Sequence, residues 1–279
     1  MKRDWAEIIR CTLDVLEKWK KWRPMTLRQI YYQLVPLNLF EHNLWSYQAL
    51  SRKLVEAREK GIIPWEWIED RLRRPRHVAQ WDGLEDFAEK VVGSYKRDVW
   101  EGQELYFEFW LEKDALSGIF ETLLRPYGIT LNVGRGFDSS SSVRETARRF
   151  GSGEDVRLFI FGDHDPSGED IIRSLRERLA EFNCNPEKVK LAILKEDIER
   201  YNLPPALAKR TDSRTRRFVE RFGDECVELD ALSPDVLEAR ILGAVTSSLN
   251  MEAFNRVRQL EAREREKLAK VLTPLLRKS

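Results

Sequence analysis

Residues 156–168 constrain the fold of this chain more than any other stretch. The run Leu158-Phe159-Ile160-Phe161 ends at Gly162 and passes directly into Asp163-His164-Asp165-Pro166-Ser167-Gly168. A short apolar run of this kind reads as a buried strand over Val156–Phe161. Pro166-Ser167-Gly168 then turns the chain into a helix predicted over Gly168–Phe182. Strand, tight turn and helix in this order build a sheet whose strands are joined by helices, with ligands gathered at the carboxyl ends of the strands.

The same rhythm extends on both sides. Strands are predicted over Leu105–Leu111, Gly128–Gly134 and Val189–Leu194, with helical periodicity over Ala115–Leu124 and Val143–Phe150. A helical tail follows Pro234, including the charged stretch Met251–Leu272. The first third reads differently. Trp5, Ile8, Ile9, Leu13, Leu16 and Trp19 recur at helical spacing up to Pro24. Thr26-x-x-Gln29 is a capping box that opens a second helix, which ends before Pro36. A third helix runs from about Trp45 to Lys60 and closes at Gly61. The apolar segment Ile62–Ile68 follows as an edge strand, giving the order of a winged helix-turn-helix. The expected fold is α/β (α+β overall). A helical DNA-binding domain occupies residues 1–80, a linker 81–103, and a mostly parallel sheet with a helical extension 104–279.

Composition narrows the function classes. With 42% hydrophobic residues and 29 aromatics among 279 residues, the chain can bury a sizeable core. No stretch approaches the length of a membrane span, and Met1-Lys2-Arg3-Asp4-Trp5 carries no apolar signal core. Three cysteines (Cys11, Cys184, Cys226) and three histidines argue against a disulfide framework or a structural zinc site. The chain reads as soluble and cytosolic. Its net charge is +1, but residues 1–80 hold 16 basic and 10 acidic residues, leaving 48 − 16 = 32 and 47 − 10 = 37 for the rest. A basic first third suits nucleic acid; ordinary scatter explains the split equally well.

Two strands end in acids: Leu111-Glu112-Lys113-Asp114, and Gly162-Asp163-His164-Asp165. Alternation along an extended backbone aims Asp163 and Asp165 the same way and His164 elsewhere. With Glu112 on a neighbouring strand, three carboxylates converge, and charges that close require a cation or a proton. Oxygen ligands select a hard ion, Mg²⁺ being the usual one at phosphates. The alternative is that each acid caps the helix after its strand. Gly134-Arg135-Gly136 with Asp138 and Ser139–Ser142 could cradle a phosphate through backbone N–H groups, or form a plain turn.

On the helix after Thr26, Leu27, Ile30, Tyr31 and Leu34 form the core stripe. Arg28 and Tyr32 lie four apart on another face, so Tyr32 is presented outward beside a guanidinium. A free phenol, with a pKa near ~10, is a poor nucleophile at neutral pH. A neighbouring Arg and a metal would stabilise both phenolate and attacked phosphate. The alternative gives Tyr32 an interface and Arg28 a DNA phosphate. Arg52, Lys53, Arg58 and Lys60 on the third helix are phosphate contacts or a solvated face. Trp65 and Trp67 either stack bases or pack beneath the wing.

Glu112-Lys113 followed by Asp163-His164-Asp165-Pro166-Ser167-Gly168 resembles the Toprim domain of topoisomerases, primases and certain nucleases. Thr26-Leu27-Arg28-Gln29-Ile30-Tyr31-Tyr32 is similar to the Arg-x-x-aromatic-Tyr element of the topoisomerase VI A subunit and the meiotic double-strand-break transesterase, with compact Mini-A relatives closest in length. The resemblance covers about residues 20–240. It implies Tyr32 as nucleophile, Arg28 as its electrostatic partner, and Mg²⁺ held by Glu112, Asp163 and Asp165. It also implies a homodimer on double-stranded DNA in which each Tyr32 works with the metal of the other protomer, leaving 5′-phosphotyrosyl links. A nucleoid-associated cytoplasmic location would follow. No ATP-binding module is present, so strand passage would need a separate ATPase subunit. A Toprim nuclease using activated water and a non-catalytic DNA-binding protein are the alternatives.

Overall fold

The computed structural model describes residues 4–69, 78–134, 140–151, 155–207 and 214–276. It is a mixed α/β protein whose chain divides into two compact units, residues 1–73 with 107–242, and residues 74–106 with 243–279. Among the described residues no helix is long and apolar enough to cross a membrane.

The first unit opens with α1 (Trp5–Lys18), capped by Asp4, whose carboxylate accepts from the N–H groups of Ala6 and Glu7. Strand β1 (Met25–Thr26) leads into α2 (Leu27–Leu34). The expected capping box is present: Gln29 N–H donates to Thr26 Oγ1 at 3.3 Å, and Thr26 N–H donates to Gln29 Oε1 at 2.6 Å. Helix α3 (Leu44–Glu59) starts at the Asn43 cap, and Gly61 beyond it takes a φ of +69°, the left-handed turn anticipated there.

The segment after α3 departs from the expected wing. Ile62–Ile68 is not an edge strand: Trp65–Trp67 forms a 3₁₀ turn, and only β2 (Ile68–Glu69) is extended. It pairs parallel to β1, Met25 opposite Ile68. The cause is Arg58, which donates to the carbonyls of Trp65 (2.9 Å) and Ile68 (3.0 Å), filling acceptors that a hairpin partner would otherwise need. Its guanidinium also covers the Trp65 ring at 4.2 Å, and Arg23 lies 3.4 Å over Trp67. Both tryptophans are therefore clamped by arginines at the protein surface.

The remainder of this unit is built on a four-stranded sheet. Strands β3 (Tyr106–Leu111), β4 (Leu131–Val133), β5 (Val156–Phe161) and β6 (Glu187–Ala192) lie in the order β4-β3-β5-β6, with β3/β4 and β5/β6 parallel. Helices α5 (Ser117–Leu124), α6 (Ser140–Phe150) and α7 (Pro166–Glu181) alternate with the strands as expected. Alternate β3 residues Phe107 and Phe109 meet Phe159, at 5.6 and 5.2 Å between ring centroids, and Phe120 of α5 meets Phe161 at 4.8 Å. Edge-to-face and tilted pairs of this kind add to the hydrophobic gain of burial. Beyond the sheet come α8 (Lys195–Arg200), the antiparallel pair β7 (Ala206–Leu207) and β8 (Glu225–Cys226), α9 (Thr215–Phe222) and a 3₁₀ turn at Leu229–Ala231. Helix α10 (Pro234–Ser248) follows.

The second unit corrects the reading of 81–103 as a linker. Helix α4 (Leu84–Ser94) lies in that stretch and packs on α11 (Met251–Leu276). Glu261 of α11 is buried, accepts from the Arg97 N–H at 2.9 Å, and is paired by Arg258 and Arg265. A buried carboxylate satisfied from three sides organises these residues into a folded unit. The basic run Arg71–Arg76 lies outside the described residues.

Candidate active site

The carboxyl ends of β3 and β5 meet. Glu112 N–H donates to Phe161 O at 2.9 Å, continuing the sheet one residue past β3, and the Glu112 carboxylate folds back to accept from Asp163 N–H at 2.8 Å. Two glycines make room. A Cβ on Gly162 would stand 2.8 Å from Glu112 Oε2, and one on Gly168 would stand 2.6 Å from Asp163 O and 3.2 Å from Glu112 Oε2. Gly162 thus makes room for the Glu112 carboxylate, and Gly168 chiefly for the Asp163 carbonyl.

Asp163 is buried, and its Oδ1 accepts from Leu229 N–H at 2.8 Å. Its Oδ2 is ion-paired with Lys113, which also reaches Glu228 at 3.2 Å. Asp165 caps α7, accepting from Gly168 N–H at 2.6 Å, which is the capping alternative that the sequence left open. The three carboxylates nonetheless feel one another. Burial, then the charge of Asp163, pushes Glu112 up to about 7, and burial followed by Asp163 also raises Asp165. Among the described residues, no three acids, histidines or cysteines stand as ligands around a single point. The Lys113 ammonium takes the position at Asp163 that the sequence reading assigned to a cation. In its chemistry the set fits a hard divalent ion: the donors are oxygens only, and their mutual repulsion is incompletely compensated.

His164 faces away from the acids, as alternation requires. Its backbone bridges Val227, its ring packs against Phe218 (5.1 Å) and Phe222 (5.3 Å), and burial lowers it to about 4. It is a neutral packing residue.

Tyr32 is not presented to solvent. It is only 6% exposed and lies against His42 and Tyr31, with the Arg28 guanidinium 5.8 Å from its ring. The helical wheel separates its face from the core stripe; His42 and Tyr31 flank the ring, and the turn at Leu229–Ala231 packs on α2. Arg28 pairs with Glu228 and donates from Nε to Asp230 Oδ2 at 3.0 Å. Burial raises the Tyr32 phenol above its ordinary range; Arg28 opposes the shift, and the charges of Asp230 and Asp163 add to it. A cavity of about 840 Å³ joins these groups, its wall including Arg28, Tyr32, His42, Asp165, Ser167 and Glu228.

The residues assigned to DNA contacts divide. Arg52 and Lys60 are exposed; Lys53 is paired with Glu56 at 2.8 Å; Arg58 is spent on the carbonyls described above. The glycine loop at 135–139 lies outside the described residues. Sequence reasoning missed Lys113, Glu228 and Asp230 as members of the site. The signal for the last two was the alternation Glu228-Leu229-Asp230, a second acid-x-acid just beyond β8.

No protein-family model matches the sequence. A stretch of 88 residues, 30% of the chain, is 35% identical to a tetraacyldisaccharide 4′-kinase of Nitratidesulfovibrio vulgaris, and the match spans a quarter of that kinase's length.

Proposed function

We propose that this protein cleaves double-stranded DNA by Mg²⁺-dependent tyrosine transesterification, in the manner of the topoisomerase VI A subunit. The helices of residues 1–80 act as a DNA-binding module and β3–β6 as a Toprim sheet. The observation that carries this reading is the shared cavity, whose lining includes Tyr32, Arg28 and the strand-end acid Asp165. Tyr32 Oη attacks phosphorus and the bond to the 3′ oxygen breaks, leaving a 5′-phosphotyrosyl link; the proton lost by the phenol is balanced by one gained at the departing 3′ oxygen. Arg28 offsets charge on the phosphate. Glu112, Asp163 and Asp165 would hold Mg²⁺, which supplies electrostatic stabilisation of the phosphate oxygens. Two copies are needed to cut two strands, so the active form is a homodimer, and strand passage falls to a separate ATPase subunit.

A second reading has an observation in its favour. The phenol is raised by burial and by two nearby acids, which disfavours its ionisation and suits a Toprim nuclease in which activated water attacks instead. Incubating wild type, Tyr32→Phe and Asp163→Ala with duplex DNA and Mg²⁺ separates the two. Transesterification gives a covalent protein–DNA adduct that both variants lose. Free cleaved ends that persist in Tyr32→Phe establish the nuclease, and the absence of cleavage by wild type refutes both.

A further inference from the structure

Asp230 is fully buried, yet one of its carboxylate oxygens, Oδ1, has no hydrogen-bond partner among the described residues. Its other oxygen accepts from Arg28 Nε at 3.0 Å. Asp230 does not line the cavity, whereas Arg28, Tyr32 and Glu228 do. A buried carboxylate with one hydrogen bond is a poor stabiliser, since an apolar side chain of similar volume would pack there without the desolvation cost. What the carboxylate does provide is direction. The planar guanidinium has donors on three nitrogens; Asp230 holds Nε and Glu228 holds Nη2, which fixes the plane of the group. The constraint comes from the segment 227–230, which Leu229 N–H and the His164–Val227 bridge tie to the end of β5.

We propose that Asp230 is a positioning residue, which sets the Arg28 guanidinium beside Tyr32 in the wall of the cavity that receives the phosphate. The role rests on the transesterase reading for its chemistry, but the positioning itself is measurable without it.

The test uses the full chain labelled with 3-fluorotyrosine. Among seven tyrosines, the Tyr32 resonance is the one that Tyr32→Phe removes. Asp230→Asn is expected to move that resonance, Arg28→Gln to move it as well, and the double variant to match Arg28→Gln alone. On DNA with Mg²⁺, Asp230→Asn should slow adduct formation about 10- to 100-fold with unchanged DNA affinity, and should add nothing in the Arg28→Gln background. A Tyr32 resonance that Asp230→Asn leaves in place, or additive effects in the double variant, overturns the proposal. A wild type that forms no adduct refutes the transesterase reading alone, since the resonance still decides the positioning. If Asp230→Asn fails to fold, Asp230→Ser carries the same readouts.

Discussion

Replacing Gly168 with alanine puts a methyl carbon 2.6 Å from the Asp163 carbonyl oxygen and 3.2 Å from Glu112 Oε2. The nearer obstacle is backbone, which also accepts a hydrogen bond from Lys190 Nζ at 3.1 Å, so it cannot rotate aside as a flexible side chain would. Forcing an extra methyl into a packed site costs about 1–3 kcal/mol, and the short contact to backbone argues for the upper end. Against this, alanine inside a helix gains about 1 kcal/mol over glycine. The net loss is about 2 kcal/mol, equivalent to a midpoint about 4–8 °C lower for a unit of this size. Gly243 in α10 is the internal control: it is exposed, and a Cβ there meets nothing within 4 Å. Gly243 falls in the second, smaller unit, so Gly243→Ala should raise that unit's midpoint by about 4–8 °C. Thermal unfolding followed by circular dichroism at the helix band measures both. A Gly168→Ala protein that melts at or above wild type would refute the claim that Glu112 is pressed against the 162–168 turn.

The remaining predictions concern charge. Glu112 is raised in the folded chain from 4.5 to about 7, so its neutral form is favoured by folding. That contribution is complete below the unfolded value and disappears as pH rises through about 7. Stability should thus fall between pH 5 and pH 8 in wild type and fall less in Glu112→Gln, as urea midpoints across that range will show; parallel curves would contradict the burial of Glu112. For the third helix, Arg52→Ala and Lys60→Ala should each weaken DNA binding and reduce its salt slope by about one counterion. Arg58→Met should leave that slope unchanged and instead lower the melting midpoint, because its hydrogen bonds run to Trp65 and Ile68. An Arg58 variant with a reduced salt slope and normal stability would reverse this division.

The parts of the fold that sequence predicted well are those specified locally. β5 was read with its observed bounds, and α7 ran only slightly longer than expected, because an apolar run met Gly162 and then Pro166, and no tertiary contact was needed to end the strand. The α2 capping box is likewise closed by residues three apart. The failures have a common origin in distance along the chain. The wing was misread because Arg58 satisfies the carbonyls of a segment up to 10 residues away, something no periodicity records. Helix α4 reads as a linker because the helix it packs on, α11, lies at the far end of the sequence. Tyr32 reads as outward because a wheel describes one helix, and the turn at Leu229–Ala231 that packs on α2 lies far along the sequence. Asp230 reads as an ordinary acid until Arg28 is found against it.

The Arg28–Asp230 contact joins positions 202 residues apart, and Leu229 reaches Asp163 across 66. The consequence falls on synthesis. A nascent chain that has emerged as far as α9 already carries the phenol, the guanidinium and all three strand-end acids, but not the short clasp that orders them. The site is therefore assembled late, after most of the first unit has been made. This order of events withholds the assembled site until translation of the first unit is nearly complete.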